Sequence, residues 1–316
     1  MSIPKCLVLL STYNGETYIY EQLNSLIKQE GVHLNILIRD DGSNDSTVNI
    51  INHFINQTPE KISLIQSVNI GAKASFFDLI RIADTEYPNF DYYAFCDQDD
   101  VWLPKKLLKA TSTMKNFQNN QLPLMYCSAT QMVDANLSDL KVWPLPPKKK
   151  LTMYNALVEN VAVGCTTVLN REAFQLIASS PPAEVDQVIM HDWWVYLCVS
   201  TFGKVIFDSQ PLILYRQHSN NVLGGQTDSW LDKWKKRFRR YLKGQNHYII
   251  SNQAKEFYKC FQQQLDNTKN LDVWNLIQAS GSGPLSRISY ALRTPLYRQK
   301  DSDQYILKLI ICMGKI

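Results

Sequence analysis

Three acids stand within four positions at Asp97, Asp99 and Asp100, directly behind the apolar run Tyr92-Tyr93-Ala94-Phe95-Cys96. Carboxylates crowded in this way repel one another, so a compensating charge is needed. A hard divalent cation, Mg²⁺ or Mn²⁺, takes oxygen ligands, often one or two carboxylates plus the phosphates of a substrate. The residue types and spacing therefore point to a metal–diphosphate site. A simpler reading makes the acids a polar turn, with Asp100 capping a helix ahead of Pro104.

The elements that must hold these acids are legible in the hydrophobic pattern. Tyr92–Cys96 is short, β-prone and bounded by polar residues, so it reads as a buried strand. Cys6–Leu10, Leu34–Ile38 and Ile62–Ile65 read as three earlier strands. Helical spacing follows each of them over Glu16–Gln29, Asn44–Phe54 (opened by Ser43 or Asn44 as N-cap) and Ala74–Ala83. Strand and helix alternate four times with short links, which predicts an α/β fold with a mostly parallel central sheet flanked by helices. Polar loops recur just after the strands: Thr12-Tyr13-Asn14, Asp40-Asp41-Gly42-Ser43, Asn69-Ile70-Gly71 and Asp97-Gln98-Asp99. In open sheets of this kind ligands bind beyond the carboxyl ends of the strands, so these loops form the expected nucleotide rim. Neither GxGxxG nor GxxxxGK[ST] is present, which disfavours dinucleotide and P-loop folds.

Further along, Lys105–Phe117 reads as a helix, Leu124–Val133 as a strand and Trp143–Lys150 as an exposed loop. Val161–Leu169 reads as one strand, with Gly164 placed where a backbone or ligand approaches closely. Arg171–Ala178 is a short helix, and His191-Asp192-Trp193-Trp194 opens another. Val205–Phe207 and Leu212–Tyr215 are short strands, the second running into Arg216-Gln217-His218. Long helices are expected over Asn252–Leu276 and Leu285–Met313.

Charge divides the chain. Residues 1–220 hold 17 basic and 22 acidic side chains, whereas residues 221–316 hold 16 basic and 7 acidic. In the latter part Trp230, Trp234, Phe238 and Tyr241 keep helical spacing among Lys233, Lys235, Lys236, Arg237, Arg239, Arg240 and Lys243. A basic helix with an aromatic stripe fits an interfacial helix on anionic lipid, or a stripe packed on the protein body with solvated charges. Nucleic acid is disfavoured, because no recognition motif accompanies the charge. The seven cysteines are scattered without CxxC spacing, which reads as reduced, buried thiols. The opening residues do not read as a signal peptide, and no apolar run approaches the ~20 residues of a membrane span.

Taken together and in order, Ser11-Thr12-Tyr13-Asn14-Gly15, Asp40-Asp41-Gly42-Ser43 with Asp45-Ser46-Thr47, Asn69-Ile70-Gly71 and Asp97-Gln98-Asp99-Asp100 resemble the motifs of the family 2 glycosyltransferases. These are inverting enzymes of the GT-A fold. Phe95–Trp102 together with His191-Asp192-Trp193-Trp194 looks most like the bacterial rhamnosyltransferases within that family. The resemblance implies a catalytic domain over residues 1–220, its nucleotide-sugar half in roughly 1–100 and its acceptor half in 101–220, followed by a basic, mostly helical region over 221–316.

The resemblance also implies roles. Thr12, Tyr13, Asn14 and Glu16 would line the nucleoside pocket, and Asp41 would accept from the base. Lys73 would lie near the base or diphosphate. Asp97 and Gln98 would sit on the donor side, and Asp99 would ligate Mg²⁺ or Mn²⁺ with His218 completing the shell. Asp192 would be the general base, although a helix cap is the competing reading. His191, Trp193 and Trp194 would face the acceptor, with core packing an equal alternative for the tryptophans. An inverting transfer asks for such groups on chemical grounds as well: a carboxylate to take the acceptor's proton and cations to stabilise the departing diphosphate. The expected reaction moves L-rhamnose from dTDP-L-rhamnose to a polyprenyl-linked saccharide, on the cytoplasmic face of the membrane, with a homodimer through the C-terminal helices as one possible assembly. A UDP-hexose or UDP-GlcNAc donor is the alternative, and a non-catalytic sugar-binding relative is another.

Overall fold

The computed structural model describes residues 3–117, 121–217 and 247–316. The chain forms two compact units. One comprises Met1–Pro147, Asn160–Pro181 and Met190–His218; the other comprises Lys148–Glu159, Pro182–Ile189 and Ser219–Ile316.

The first unit is built on β1 (Lys5–Thr12), β2 (His33–Asp40), β3 (Ile62–Gln66) and β4 (Tyr92–Cys96). Between them run α1 (Ile19–Ile27), α2 (Thr47–Gln57) and α3 (Ala72–Glu86). β1 lies between β4 and β2, and both pairings are parallel, as is β2 with β3. A strand covered on both faces must be apolar throughout; Cys6–Leu10 and all five residues of β4 are accordingly buried. The register aligns Leu10 with Cys96, Thr12 with Asp40, and Asp40 with Gln66, so four polar loops leave the sheet along one edge.

Behind β4 the chain makes the two-residue β5 (Val101–Trp102), α4 (Lys106–Lys115) and β6 (Leu124–Ser128). The run expected as one strand over Leu124–Val133 divides at Ala129. β6 joins the main sheet, while β7 (Thr130–Val133) turns into a second sheet. β8 (Asp139–Trp143) extends that second sheet, so Trp143 ends a strand rather than opening the expected loop. Val161–Leu169 is also not one strand. A tight 3₁₀ turn at Gly164–Thr166 precedes β9 (Val168–Asn170), which is antiparallel to both β4 and β6. α6 (Arg171–Ala178) starts where the Asn170 side chain accepts from the Ala173 N–H, an ordinary N-cap. α7 (His191–Phe202), β10 (Lys204–Asp208) and β11 (Ile213–Arg216) follow. The main sheet then has the order β10-β6-β9-β4-β1-β2-β3, and the second β5-β11-β7-β8.

Two expected caps move. α2 opens at Thr47 rather than beside Ser43 or Asn44, because the polar side chains ahead of it bind the loop after β1. Asp100 caps no helix: α4 begins at Lys106, and Asp100 is fully buried ahead of β5.

The second unit is helical among its described residues, with α5 (Met153–Ala156), α8 (Ile249–Phe261), α9 (Asn267–Ala279), α10 (Pro284–Arg293) and α11 (Asp301–Cys312). The two long helices expected there are four. Asp266 ends the first stretch by capping α9, accepting from the Lys269 N–H. Pro295 forces Thr294 out of helical backbone and ends α10. All seven cysteines are free thiols. No described helix is long and apolar enough to cross a membrane. The basic aromatic segment Trp230–Lys243 lies outside the described residues.

Candidate active site

The loops after β1 and β2 are laced together by their own polar side chains. The Asn14 N–H donates to Ser43 Oγ at 2.9 Å, and the Asn44 N–H returns a bond of 2.9 Å to Asn14 Oδ1. The Gly15 N–H donates to Thr47 Oγ1 at 2.7 Å and the Glu16 N–H to Asp45 Oδ2 at 3.1 Å, while Glu16 accepts from the Ser46 N–H. Gln98 ties the same loop to the end of β4. Its Oε1 accepts from Thr12 Oγ1 at 2.6 Å and from the Tyr13 N–H at 2.9 Å, and its Nε2 donates to the Tyr13 carbonyl at 3.2 Å. A Cβ at Gly15 would fall 2.4 Å from Gln98 Oε1, so a side chain there would displace this amide. Thr12 and Gln98, expected as donor contacts, thus hold the rim in shape. Tyr13 remains 44% exposed and free to stack.

Arg39 and Asp41 organise the third loop. Both are buried and ion-paired, with Arg39 also donating to Asp78 Oδ2 at 2.9 Å and to the Val68 carbonyl. The Asp41 carboxylate accepts from the Ile70 and Gly71 N–H groups at 2.9 and 2.8 Å. These bonds close the loop that enters α3, and Lys73 stands in the first turn of that helix. Asp41, expected as the partner of the base, has a structural task in this state. Gly71 takes a φ of +83° at the turn, a conformation that favours glycine.

At the acidic loop, burial together with the charges of Asp99 and Asp192 pushes the Asp97 carboxyl up to about 7. Ligand atoms of Asp97, Asp100 and Cys165 lie within 4.8 Å of one another. Asp100 accepts from the Arg216 N–H at 3.2 Å and from the Cys165 thiol, and its Oδ2 is buried without a hydrogen-bond partner. Burial pushes the Cys165 thiol well above its usual range, so it serves as a hydrogen-bond donor rather than a thiolate. Crowded carboxylates with an orphaned buried oxygen fit a hard divalent cation. The tightest cluster among the described residues differs from the expected pair Asp99 and His218. Asp99 lies beside it, and His218 is outside the described residues.

The second carboxylate comes from the first turn of α7. Burial raises Asp192 to about 6. Its Oδ2 accepts from Asn160 Nδ2 at 3.1 Å and its Oδ1 from the Trp193 N–H at 2.7 Å. Gly164 packs against this turn: a Cβ there would lie at ordinary contact distance, 3.4 Å from His191 Nε2 and 3.5 Å from Asp192 Oδ2. The His191 ring stacks on Phe76 at 3.8 Å and meets Phe95 edge-on, with neither ring nitrogen hydrogen-bonded. Burial holds its pKa down at about 3, so the imidazole is neutral. Trp193 is half-buried. Trp194 corrects the expectation of an acceptor contact: it is wholly buried and packs in the core, leaving no face for a sugar.

Asp97, Asp99 and Asp192 are thus brought together although 93 residues separate Asp99 from Asp192 in the chain. Sequence reasoning missed Arg39, Asn160, Lys106 and the role of Arg216. Arg216 is fully buried, donates to the Asp99 carbonyl at 2.9 Å and pairs with Glu21, which fastens β11 to the acidic loop. A charged residue inside an apolar strand pattern was the available signal for Arg39 and Arg216; Asn160 carried none.

The model of the glycosyl transferase family 2 matches residues 7–177, more than half of the chain. The dTDP-rhamnosyl transferase RfbG of Shigella flexneri is 31% identical over 314 residues, covering 96% of this chain and 99% of that protein. The UDP-Glc:alpha-D-GlcNAc-diphosphoundecaprenol beta-1,3-glucosyltransferase WfgD of Escherichia coli is 27% identical over 162 residues, 51% of this chain and 58% of its own length. Among solved structures, S. aureus TarS 1-349 in complex with UDP-GlcNAc superposes with a TM-score of 0.59 at 15% identity, covering 99% of this chain and 82% of that one. The mannosyltransferase PcManGT from Pyrobaculum calidifontis, in complex with GDP-Man and Mn2+, reaches 0.52 at 13% identity, covering 100% and 86%. The mostly parallel sheet, the ordered rim motifs and the family match lead to one assignment: this chain is a GT-A glycosyltransferase and belongs to family 2.

Proposed function

We propose that the protein transfers L-rhamnose from dTDP-L-rhamnose to a lipid-linked saccharide by a single inverting displacement. What supports the reading is the turn at Gly164 and Cys165: Gly164 lies against Asp192, and ligand atoms of Cys165, Asp97 and Asp100 fall within 4.8 Å of one another. Similarity to RfbG over nearly the full length of both chains supports the donor.

Asp192 takes the proton of the acceptor hydroxyl, whose oxygen bonds to the anomeric carbon. The bond from that carbon to the diphosphate oxygen breaks, and its electron pair leaves with the nucleoside diphosphate. Such a positioned base is typically worth ~10²–10⁴ in rate. Asp97 and Asp99 would hold Mg²⁺ or Mn²⁺, with Asp100 behind them. The ion would supply positive charge to the departing diphosphate. Tyr13 stacks on the nucleobase, and the Gln98 clasp keeps its loop in place. Trp193 borders the acceptor side, while the buried His191 packs against Phe76 and Phe95. The basic C-terminal region holds the enzyme on the cytoplasmic face of the membrane, where a polyprenyl-linked acceptor is found.

The test is a donor panel with purified protein and Mn²⁺. Transfer or hydrolysis of dTDP-rhamnose above all other donors is expected; no turnover of any nucleotide sugar would sink the reading. Because WfgD is named for UDP-Glc, a UDP-hexose is the second donor to try. Greater thermal stabilisation by dTDP than by UDP favours the first donor, and the reverse favours the second.

A further inference from the structure

Lys106 has no place in the mechanism above. It is the first residue of α4, it is 1% exposed, and its ammonium has no hydrogen-bond partner. The ammonium instead sits 3.2 Å from the centre of the Trp102 ring. A buried, unpaired ammonium is costly. A cation in the first turn of a helix also opposes the helix dipole. The aromatic face offsets part of this cost, but a well-packed apolar side chain would avoid all of it.

Burial lowers the Lys106 ammonium to about 8, against the opposing pull of Cys96, Cys165, Cys6 and Asp100, so it is mainly charged near neutral pH. Burial pushes the three thiols up and keeps them protonated. Asp100 is therefore the carboxylate among the four. It is fully buried and keeps an unpartnered oxygen within the cluster formed with Asp97 and Cys165. Lys106 and Asp100 are thus both buried, each with a polar atom that makes no hydrogen bond, and Lys106 sits against Trp102, two positions beyond Asp100.

We infer that Lys106 is a resident cation of the acidic loop, offsetting its charge when no divalent ion is bound and weakening the hold on that ion when it is. The inference rests on the metal reading of the loop. The benefit is exchange: a weaker hold lets the ion depart with the nucleoside diphosphate after each turnover. The lysine is a positioning residue, since it touches neither substrate nor reacting atoms.

The experiment titrates Mn²⁺ alone into the full-length protein, reading free Mn²⁺ by electron paramagnetic resonance. Wild type, Lys106→Met, Lys106→Gln and Lys106→Arg are compared, each with a thermal melt. The two neutral variants should bind Mn²⁺ at least about tenfold more tightly, because a unit positive charge is removed from a buried, weakly screened neighbourhood. Lys106→Arg should stay near the wild-type affinity. Unchanged affinity in folded Lys106→Met and Lys106→Gln would overturn the inference while leaving the metal reading intact. A wild type that binds no Mn²⁺ would remove the metal reading itself, and the inference with it. If the neutral variants melt early, recovery of the melt by Mn²⁺ supports a stand-in cation. Failure to recover with Mn²⁺ would mean that Lys106 only fills space in the core.

Discussion

Asn160 Nδ2 donates to Asp192 Oδ2 at 3.1 Å, so the proposed base is held by a neutral side chain 32 residues away. A hydrogen bond to a carboxylate favours its charged form. It therefore works against the burial that raises Asp192 to about 6. The base must be ionised to accept a proton. We expect kcat/KM to be flat above about pH 6 and to fall about tenfold per unit below it. Asn160→Ala removes the opposing bond and should move the acid limb to higher pH, on the order of one unit. A pH–rate profile of both proteins in saturating Mn²⁺ checks this; coincident limbs would refute it.

Asp192→Asn keeps the shape and the Trp193 N–H contact but cannot take a proton. Turnover should fall by ~10²–10⁴ or more. The affinity for the nucleoside diphosphate, measured by calorimetry, should stay within about twofold, because Asp192 contributes nothing to the β1 and β2 loops. Loss of both would argue that Asp192 builds the pocket instead.

Asp97 sets a different pH dependence. Its carboxyl is held up at about 7, so protons compete with a cation for it below that value. The Mn²⁺ affinity of the free enzyme should weaken as pH falls from 8 to 6, by about tenfold per unit once below about 7. A Mn²⁺ titration at several pH values measures it, and a pH-independent affinity would move the ion elsewhere.

Gly15→Ala tests the clasp between the β1 loop and Gln98. The new methyl would meet Gln98 Oε1 at 2.4 Å and displace an amide held by three hydrogen bonds. Each such bond is worth about 1 kcal/mol. The expected outcome is a KM for the donor raised about tenfold, with a smaller change in kcat. Equal kinetics would show that the loop adjusts freely.

Arg39→Met tests the buried pair. It would strand Asp41, which is 2% exposed, without its cation, while Asp78 keeps Arg81. Removing one member of a buried pair typically costs ~3–5 kcal/mol. An unfolding free energy lowered by that amount in a denaturant titration is expected, with partial recovery in Arg39→Met/Asp41→Asn.

Much of the first unit could be read from the chain. β4 is Tyr92–Cys96 as its apolar run predicts, and α6 is Arg171–Ala178 as its pattern predicts. Short-range signals sufficed, because periodicity and capping act over a few residues. Where the reading missed, a distant partner had decided. Leu124–Val133 looks like one strand, yet two sheets claim its halves at Ala129. Ser43 and Asn44 look like helix caps, yet Asn14 takes them. Trp194 looked available to a sugar, yet α7 turns it into the core.

The sequence by itself determined the motifs, their order and the sheet edge they occupy, since β–α alternation forces parallel strands to end on one side. Only the tertiary structure decided that Asn160 and Gly164 pack on Asp192, that Cys165 joins Asp97 and Asp100, and that Lys106 is buried against Trp102. The first two of these link residues far apart in the chain, and in all of them burial and Coulomb interaction, which no local pattern encodes, set the chemistry of each group.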